Sequence, residues 1–426
     1  MIAALFLGTL IVVTLLGLPI AFGLLLSAVV VLLKLDLFSV QTISQQLIGG
    51  FNSFSLLAMP FFILSGEIMN ESGISRQIVD FVSALFGHLK GSLGYITVIA
   101  CMIFAGLSGS ALADTVALGS ILIPLMIADG YSKERSTGLV TCSGIIANYI
   151  PPSIGMILYG VAAGVSITDL FMGGLIPGIL FGCGIMVTWF FVCRHDGITA
   201  HGERKSFKEI MQVTKKSIWA LILPLIIIVG LRGGIFTPTE GGAIAAAYAL
   251  AVGIFVYKTM SFKQIIRVFR NTVKTTASVM FICGASMVAA WAISAGRVPA
   301  YMVSACSDLI SKPVLLMVVC QLIFLVMGMF LDVGPNILIM TPILLPVVKA
   351  AGIDPIYFGI LMVINLTFGE VTPPVGIALY AASGISKIDV MRTVKGALPF
   401  MLAEVAMILL FACVPQLIEW PLALLT

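Results

Sequence analysis

Long apolar runs alternate with short polar breaks from one end of the chain to the other. A helix needs roughly twenty apolar residues to cross the ~30 Å hydrocarbon core of a bilayer. The pattern predicts spans at 4–34, interrupted at Gly17-Leu18-Pro19, and at 55–71, 138–162, 175–193, 218–232, 240–257, 275–296, 356–385 and 397–422. Two more stretches, 93–128 and 314–349, are apolar on both flanks and broken midway by small polar residues. Each flank has about fifteen residues and reaches ~22 Å as a helix, too little to span, so both read as re-entrant hairpins. In Ile74–Phe86, Ile78, Phe81, Val82 and Leu85 lie on one helical face opposite Arg76 and Asp80, which predicts an interfacial helix.

The halves of the chain match at a fixed offset. Asp114–Met126 aligns with Asn336–Val348, placing Pro124 on Pro346, an offset of 222 (346 − 124). The same shift carries Pro151-Pro152 onto Pro373-Pro374, Gly106 onto Gly328, Gly130 onto Gly352, Gly174 onto Gly396 and Pro177 onto Pro399. Gly164, Ser166 and Asp169 meet Gly384, Ser386 and Asp389 after a short slip. Shared apolar composition does not keep Gly and Pro in register, so a duplication is expected. The first repeat covers 1–200, with scaffold 1–71, interfacial arm 74–90, hairpin 93–128 and broken helix 138–162. After a cytoplasmic linker at 201–217, the second covers 218–426, with scaffold 218–296, arm 298–311, hairpin 314–349 and broken helix 356–385.

Charge orients the halves, because cytoplasmic loops collect Lys and Arg. Arg194–Lys216 carries six bases, and Lys258–Lys274 carries five with no acid. The segment equivalent to the latter, 36–52, holds Asp36 and no base. Lys387, Arg392 and Lys395 likewise contrast with Ala163–Gly174, whose one charge is Asp169. The repeats are therefore expected to be inverted, and the fold class to be an all-α polytopic membrane protein with a re-entrant hairpin and a broken helix in each repeat.

Composition agrees: 60% of residues are hydrophobic and 10% charged, against roughly 45–50% and 25% in soluble domains. That excludes a soluble enzyme and a disordered chain. The net charge of +4 sits in the loops and reads as an orientation signal, not a nucleic-acid footprint. Eight cysteines occur singly without a CxxC pair and read as small buried hydrophobes. Met1–Lys34 has no basic leader or A-x-A site, so a retained N-terminal membrane segment is expected.

Candidate chemistry lies at the breaks, since non-helical backbone at membrane depth is tolerated only where protein covers it or water reaches it. The tips are Gly106–Thr115 and Gly328–Asn336, and the helix breaks are Ala147–Ser153 and Gly369–Pro374. A mid-span proline pair frees carbonyl oxygens, which with hydroxyls suit a small hard cation. Few charges and many neutral oxygens favour Na⁺. One candidate site is Ser108 and Ser110 with the carbonyls around Ala147, Ile150 and Pro152. The other is Asp332 with Gly369, Thr372 and the carbonyl near Pro374. Half-helix N-termini at the breaks favour an anionic substrate, with Asp114, Asn148, Ser153, Asn336 and Glu370 as candidate contacts. Asn148, Asn365 and Glu370 could equally satisfy freed backbone groups. Glu404, Arg232 and Glu240 read as structural or partner contacts.

Gly106-Leu-Ser-Gly109 superficially fits an intramembrane serine nucleophile, but that chemistry needs a histidine base. His88, His195 and His201 all lie in or beside polar loops, and no HExxH zinc motif occurs. The chain therefore reads as no enzyme. A channel would need a continuous polar pore, and no ring-forming charge pattern is present. A proton-coupled carrier, with Asp332 or Asp114 titrating, remains the competing transporter class.

With the repeat, hairpins and breaks in place, the chain resembles the large membrane subunit of a TRAP (tripartite ATP-independent periplasmic) transporter over essentially its whole length. The motifs are Leu107-Ser-Gly-Ser-Ala-Leu-Ala-Asp-Thr115, Phe236-Thr-Pro-Thr-Glu-Gly241 and Asp354-Pro-Ile-Tyr-Phe-Gly359. The resemblance implies a Na⁺-driven elevator importer of the ion-transporter superfamily in the bacterial inner membrane, using two or more Na⁺. It implies two partners: a small four-helix membrane subunit, here expected as a separate polypeptide, and a periplasmic substrate-binding protein. It also implies sodium ligands at Ser108, Ser110, Ala147, Ile150 and Pro152, and at Asp332, Gly369, Thr372 and Pro374. The look of the chain is closest to the sialic-acid and sugar-acid branch, with C4-dicarboxylates as the alternative.

Overall fold

The computed structural model describes residues 2–198 and 204–425. His201 and the start of the expected linker fall outside them. The described chain is helical throughout, as an apolar medium requires, because each helix satisfies its own backbone groups. Seven of the described helices are long and apolar enough to cross a membrane.

The first half runs through α1 (Ile2–Leu15), α2 (Ile20–Lys34), α3 (Val40–Phe51), α4 (Ala58–Glu71) and α5 (Ile74–Phe86). It continues with α6 (Ser92–Ser108), α7 (Ala111–Ala128), α8 (Lys133–Gly144), a 3₁₀ turn at Ile145–Asn148, α9 (Ile154–Ala163) and α10 (Ile167–His195). The second half holds α11 (Phe207–Arg232), α12 (Pro238–Ala251), α13 (Phe262–Ala295), α14 (Val298–Ala305), α15 (Ser307–Ile310), α16 (Pro313–Gly328) and α17 (Val333–Ala350). It ends with α18 (Pro355–Gly369), α19 (Ile377–Ser386), α20 (Val390–Cys413) and α21 (Gln416–Leu425). The succession recurs at the sequence offset: α7 and α17 start 222 residues apart (333 − 111), and so do α8 and α18 (355 − 133).

Several bounds differ from the sequence reading. The 4–34 stretch is two helices parted at Gly17, whose φ is 82°. A helix at 40–51 precedes the 55–71 span and bends into it by 51°. α11 and α13 begin at Phe207 and Phe262, so much of the basic linker and of the basic 258–274 run is helix and not loop. Both starts are fixed by capping boxes, Ser206 with Glu209 and Ser261 with Gln264, which satisfy N–H groups that charge alone does not reveal. The second hairpin arms, α7 and α17, have 18 residues each, longer than expected because the helices start within the polar tips. Of the cysteines, Cys183 and Cys413 are exposed and Cys306 is partly exposed. The two exposed ones lie near the ends or outer faces of α10 and α20, among apolar side chains such as Phe191 and Leu402 that also point outward.

The most enclosed segments are the first arms of the two broken helices. Ser136–Gly144 of α8 and Tyr357–Gly369 of α18 are buried on every face. The polar sequence of α8 tolerates this because Thr137 and Thr141 donate to the carbonyls of Lys133 and Thr137. Small residues let backbones meet: a Cβ on Gly138 would overlap Gly396 and Ala397 of α20. Glu404 of α20 is fully buried and neither carboxyl oxygen has a partner among the described residues.

At one end of this core, Arg135 Nε donates to Asp196 Oδ2 at 2.9 Å and Arg135 Nη1 to the Gly396 carbonyl at 2.9 Å. Burial pushes the Asp196 carboxyl up, but hydrogen bonds from His195 and Arg135 and their charges outweigh it and hold it below its ordinary value of 3.8. A depressed carboxylate stabilises the fold above its unfolded value and stops doing so as pH falls through its folded value. The melting-temperature gap between wild type and Asp196→Asn is therefore expected to be full at pH 7 and to close only below about pH 4. A gap that stayed full below pH 3 would show that the Asp196 charge does not contribute.

Candidate functional site

Each half brings a hairpin tip against a broken helix. In the first, α6 ends at Ser108, Gly109 turns the chain with φ 65°, and Ser110 N-caps α7 by accepting from Ala113 N–H. Ser110 N–H donates to Ser108 Oγ at 3.3 Å, and that hydroxyl donates to Asp114 Oδ1. Asp114 is fully buried and its Oδ2 has no partner. Opposite lies the Ile145–Asn148 turn, then the cis Pro151-Pro152 pair and α9, whose Ile154 N–H donates to the Gly109 carbonyl at 3.2 Å. A Cβ on Gly109 would overlap the Pro152 carbonyl, and one on Gly106 would lie 3.7 Å from the Pro151 oxygen. The tip and the freed carbonyls thus share one small volume.

The second half repeats this. Gly328 closes α16, Asp332 stands at the N-cap of α17, and Gly376 with φ 54° follows the cis Pro373-Pro374 pair. Gly376 N–H donates to the Met329 carbonyl at 3.4 Å, the counterpart of the Ile154–Gly109 bond. Gly328 and Gly369 meet backbone to backbone, since a Cβ on either would strike the other's Cα. The Glu370 carboxyl lies beside Asp332 and Val333, and its Oε2 has no hydrogen-bond partner. A Cβ on Gly376 would lie 3.1 Å from the Thr372 carbonyl and 3.2 Å from that of Glu370, so these oxygens converge beside the pair.

Two cavities reach the tips. One of about 320 Å³ touches Ser110, Asn148, Asp332, Glu370 and Thr275, and one of about 690 Å³ touches Ser108, Ser110, Ser120, Glu67 and Arg76. Asn148 also bridges the halves, its Nδ2 donating to Thr367 Oγ1 at 3.1 Å. Asp114, Ser153 and Asn336 line neither cavity. Ser153 caps α9 by accepting from Met156 N–H, and Asn336 Nδ2 donates to the carbonyls of Met327 and Leu331. Thr372 Oγ1 donates to the Phe368 carbonyl at 2.9 Å. Asn365 Nδ2 donates to Gln321 Oε1 and carbonyl, both at 2.8 Å, and so fastens α18 to α16. The sequence reading did not single out Glu67, Asn70 and Thr275, which line the larger cavity. Glu67 and Asn70 are intramembrane polar residues in an apolar run, a signal that could have found them.

Among the described residues, no three His, Cys, Asp or Glu side chains form a metal cluster. The donors present are instead carboxylates, hydroxyls and carbonyls, the oxygen set of a hard cation. Asp332 and Glu370 lie side by side with no base lining their cavity, an arrangement that a bound cation or a shared proton would favour.

Broken helices facing a polar cavity inside an apolar bundle define a polytopic membrane transporter. The family model of the tripartite ATP-independent periplasmic transporter, DctM component, matches residues 7–417, and the chain belongs to that family. It is 44% identical over 98% of both chains to the 2,3-diketo-L-gulonate TRAP transporter large permease protein YiaN of Escherichia coli. It is 36% identical to the sialic acid TRAP transporter large permease protein SiaM of Vibrio cholerae, covering 94% of this chain and 93% of that one. It is also 36% identical to the C4-dicarboxylate TRAP transporter large permease protein DctM of Pseudomonas aeruginosa, covering 88% of each. The solved structure of the Alcanivorax borkumensis YdaH transporter shares the fold, with a TM-score of 0.64 at 14% identity over 92% of this chain and 91% of that one. The chain is thus a TRAP large permease, a multi-pass inner-membrane protein. Membership implies a small membrane subunit and a periplasmic binding protein as partners.

Proposed function

We propose that this chain is the translocating subunit of a Na⁺-coupled importer for a small sugar-acid anion. The observation that carries the reading is the approach of Asp332 to Glu370, joined by a buried Asp114 with a free oxygen, beside a 320 Å³ tip cavity that has no basic lining residue. Unpaired acids in such a place call for a cation. Ser108, Ser110 and the carbonyls of Ala147, Ile150 and Pro152 make the first sodium site, with Asp114 behind Ser108. Asp332 with Gly369, Thr372 and Pro374 makes the second. Asn148 and Glu370 face the substrate from the 320 Å³ cavity.

In this reading the halves are inverted repeats, and the hairpins with their broken helices move as one block against a scaffold of 1–71 and 218–296. The substrate arrives on a periplasmic binding protein, and the small subunit braces the scaffold. A sugar acid is favoured over a C4-dicarboxylate because identity is higher to the diketogulonate permease, 44%, than to the dicarboxylate one, 36%; sialic acid, whose permease is also 36% identical, is carried as one sugar-acid candidate.

The test uses proteoliposomes holding the chain with its small subunit, given the cognate binding protein and labelled N-acetylneuraminate, 2,3-diketo-L-gulonate or succinate. An inward Na⁺ gradient is expected to drive uptake of a sugar acid, and choline in place of Na⁺ at fixed pH to stop it. Uptake that ignored Na⁺ and followed a pH gradient would replace sodium by a proton, and a preference for succinate would overturn the substrate class.

A further inference from the structure

The 690 Å³ cavity runs from Ser108 and Ser110 along α7, past Ser120, to the junction of α4 with α5. Glu67, Asn70, Gly73, Ser75 and Arg76 line it there. Gly73, with φ 74°, opens the thirteen-residue α5; Arg76 N–H already donates to the Gly73 carbonyl at 3.2 Å, which leaves the N–H groups of Ile74 and Ser75 as the free donors of the first turn. Ser75 in that turn is 4% exposed, and its Oγ has no hydrogen-bond partner. Arg76 is the single basic side chain lining either cavity at the hairpin tips. The four ion pairs of the described residues leave it out. The nearby acid, Glu67, lies beside Asn271.

These groups share one chemistry: oriented N–H donors at the positive end of a helix, a dry hydroxyl and a guanidinium, all turned to one cavity. A carboxylate is the group they fit. Their place gives it direction. Glu71, at the end of α4, pairs with Arg267 at 3.3 Å, so this end of the cavity lies beside the basic Lys258–Lys274 run. Positive charge of that density marks the cytoplasmic side.

We propose that the first turn of α5, with Arg76 and the Ser75 hydroxyl, is a carboxylate-binding station on the cytoplasmic release path of the transported anion. The proposal rests on the anion-importer reading above. An anion leaving the acidic neighbourhood of Asp332 and Glu370 meets its first fixed cation at Arg76. The station acts only in the inward-facing state, so it sets affinity on one face of the membrane and not on the other.

Counterflow in proteoliposomes of defined orientation measures half-saturation separately on each face, with N-acetylneuraminate and its methyl ester, which lacks the carboxylate, as probes. Arg76→Gln is expected to raise half-saturation for the acid on the cytoplasmic face about tenfold, to abolish that face's preference for acid over ester, and to leave the external value within twofold. Arg76→Lys is expected to recover part of the loss, and Ser75→Ala to cost about threefold. An unmoved cytoplasmic half-saturation in both arginine variants, or equal shifts on the two faces, overturns the station. Wild-type vesicles that carry no sugar acid at all overturn the importer reading, and the station with it.

Discussion

Alanine at Gly109 is expected to reduce Na⁺-driven uptake by a hundredfold or more, while alanine at Gly164 leaves it within about threefold. Both glycines have left-handed backbone, φ 65° and 67°, so both substitutions carry a similar conformational cost of about 1–2 kcal/mol. They differ in what the new Cβ meets. At Gly164 nothing lies within 4 Å, whereas at Gly109 it overlaps the Pro152 carbonyl and comes within 3.3 Å of Ser153 Cα. Relief requires the hairpin tip to part from the broken helix, which lengthens the Ile154–Gly109 bond and moves the proposed sodium ligands. A shift of about 1 Å at such a site is enough for losses of that size. Na⁺-dependence of uptake is the check: the half-saturating Na⁺ concentration should rise steeply for Gly109→Ala and stay put for Gly164→Ala. Equal behaviour of the two variants would mean that the tip contact plays no part in ion binding.

That tip was legible because its physics is written in Gly, Pro and Ser, whose backbone effects are local. The Pro151-Pro152 and Pro373-Pro374 pairs, the break at Gly109 within the first tip and the offset of 222 between α7 and α17 (333 − 111) survive in the structure as local features. The starts of α11 and α13 were missed because hydropathy reads only the lipid-buried part of a helix. Their N-terminal ends carry Lys208, Lys215, Lys263 and Arg267, all exposed. The Ser206-x-x-Glu209 and Ser261-x-x-Gln264 boxes were the local signal that could have extended them. What no local signal carries is convergence. Asp332 and Glu370 are 38 positions apart (370 − 332), and their contact depends on Gly328 and Gly369 lying backbone to backbone. Arg76 likewise read as the polar face of an interfacial helix until the cavity reached it.

The Asp332–Glu370 contact yields the second large effect. Glu370 is buried while Asp332 is exposed to the cavity, so Asp332→Asn removes one proposed charged ligand without stranding a buried charge and is expected to raise the half-saturating Na⁺ concentration roughly tenfold. With the two proposed sodium sites, the steepness of the Na⁺ dependence should also fall toward that of a single ion. Glu370→Gln then separates the two ways of holding the pair together. Glutamine reproduces the shape and donor of a protonated glutamate, so a proton shared between the carboxyls would leave uptake in Glu370→Gln near wild type. A sodium ion beside the pair gains from both negative charges, and Glu370→Gln should then weaken Na⁺ as well, by less than Asp332→Asn because Asp332 remains to ligate it. The ordering expected from the geometry is wild type, then Glu370→Gln, then Asp332→Asn, in rising demand for Na⁺. An order with Glu370→Gln indistinguishable from wild type and Asp332→Asn responsive to pH instead of Na⁺ would hand the site to the proton.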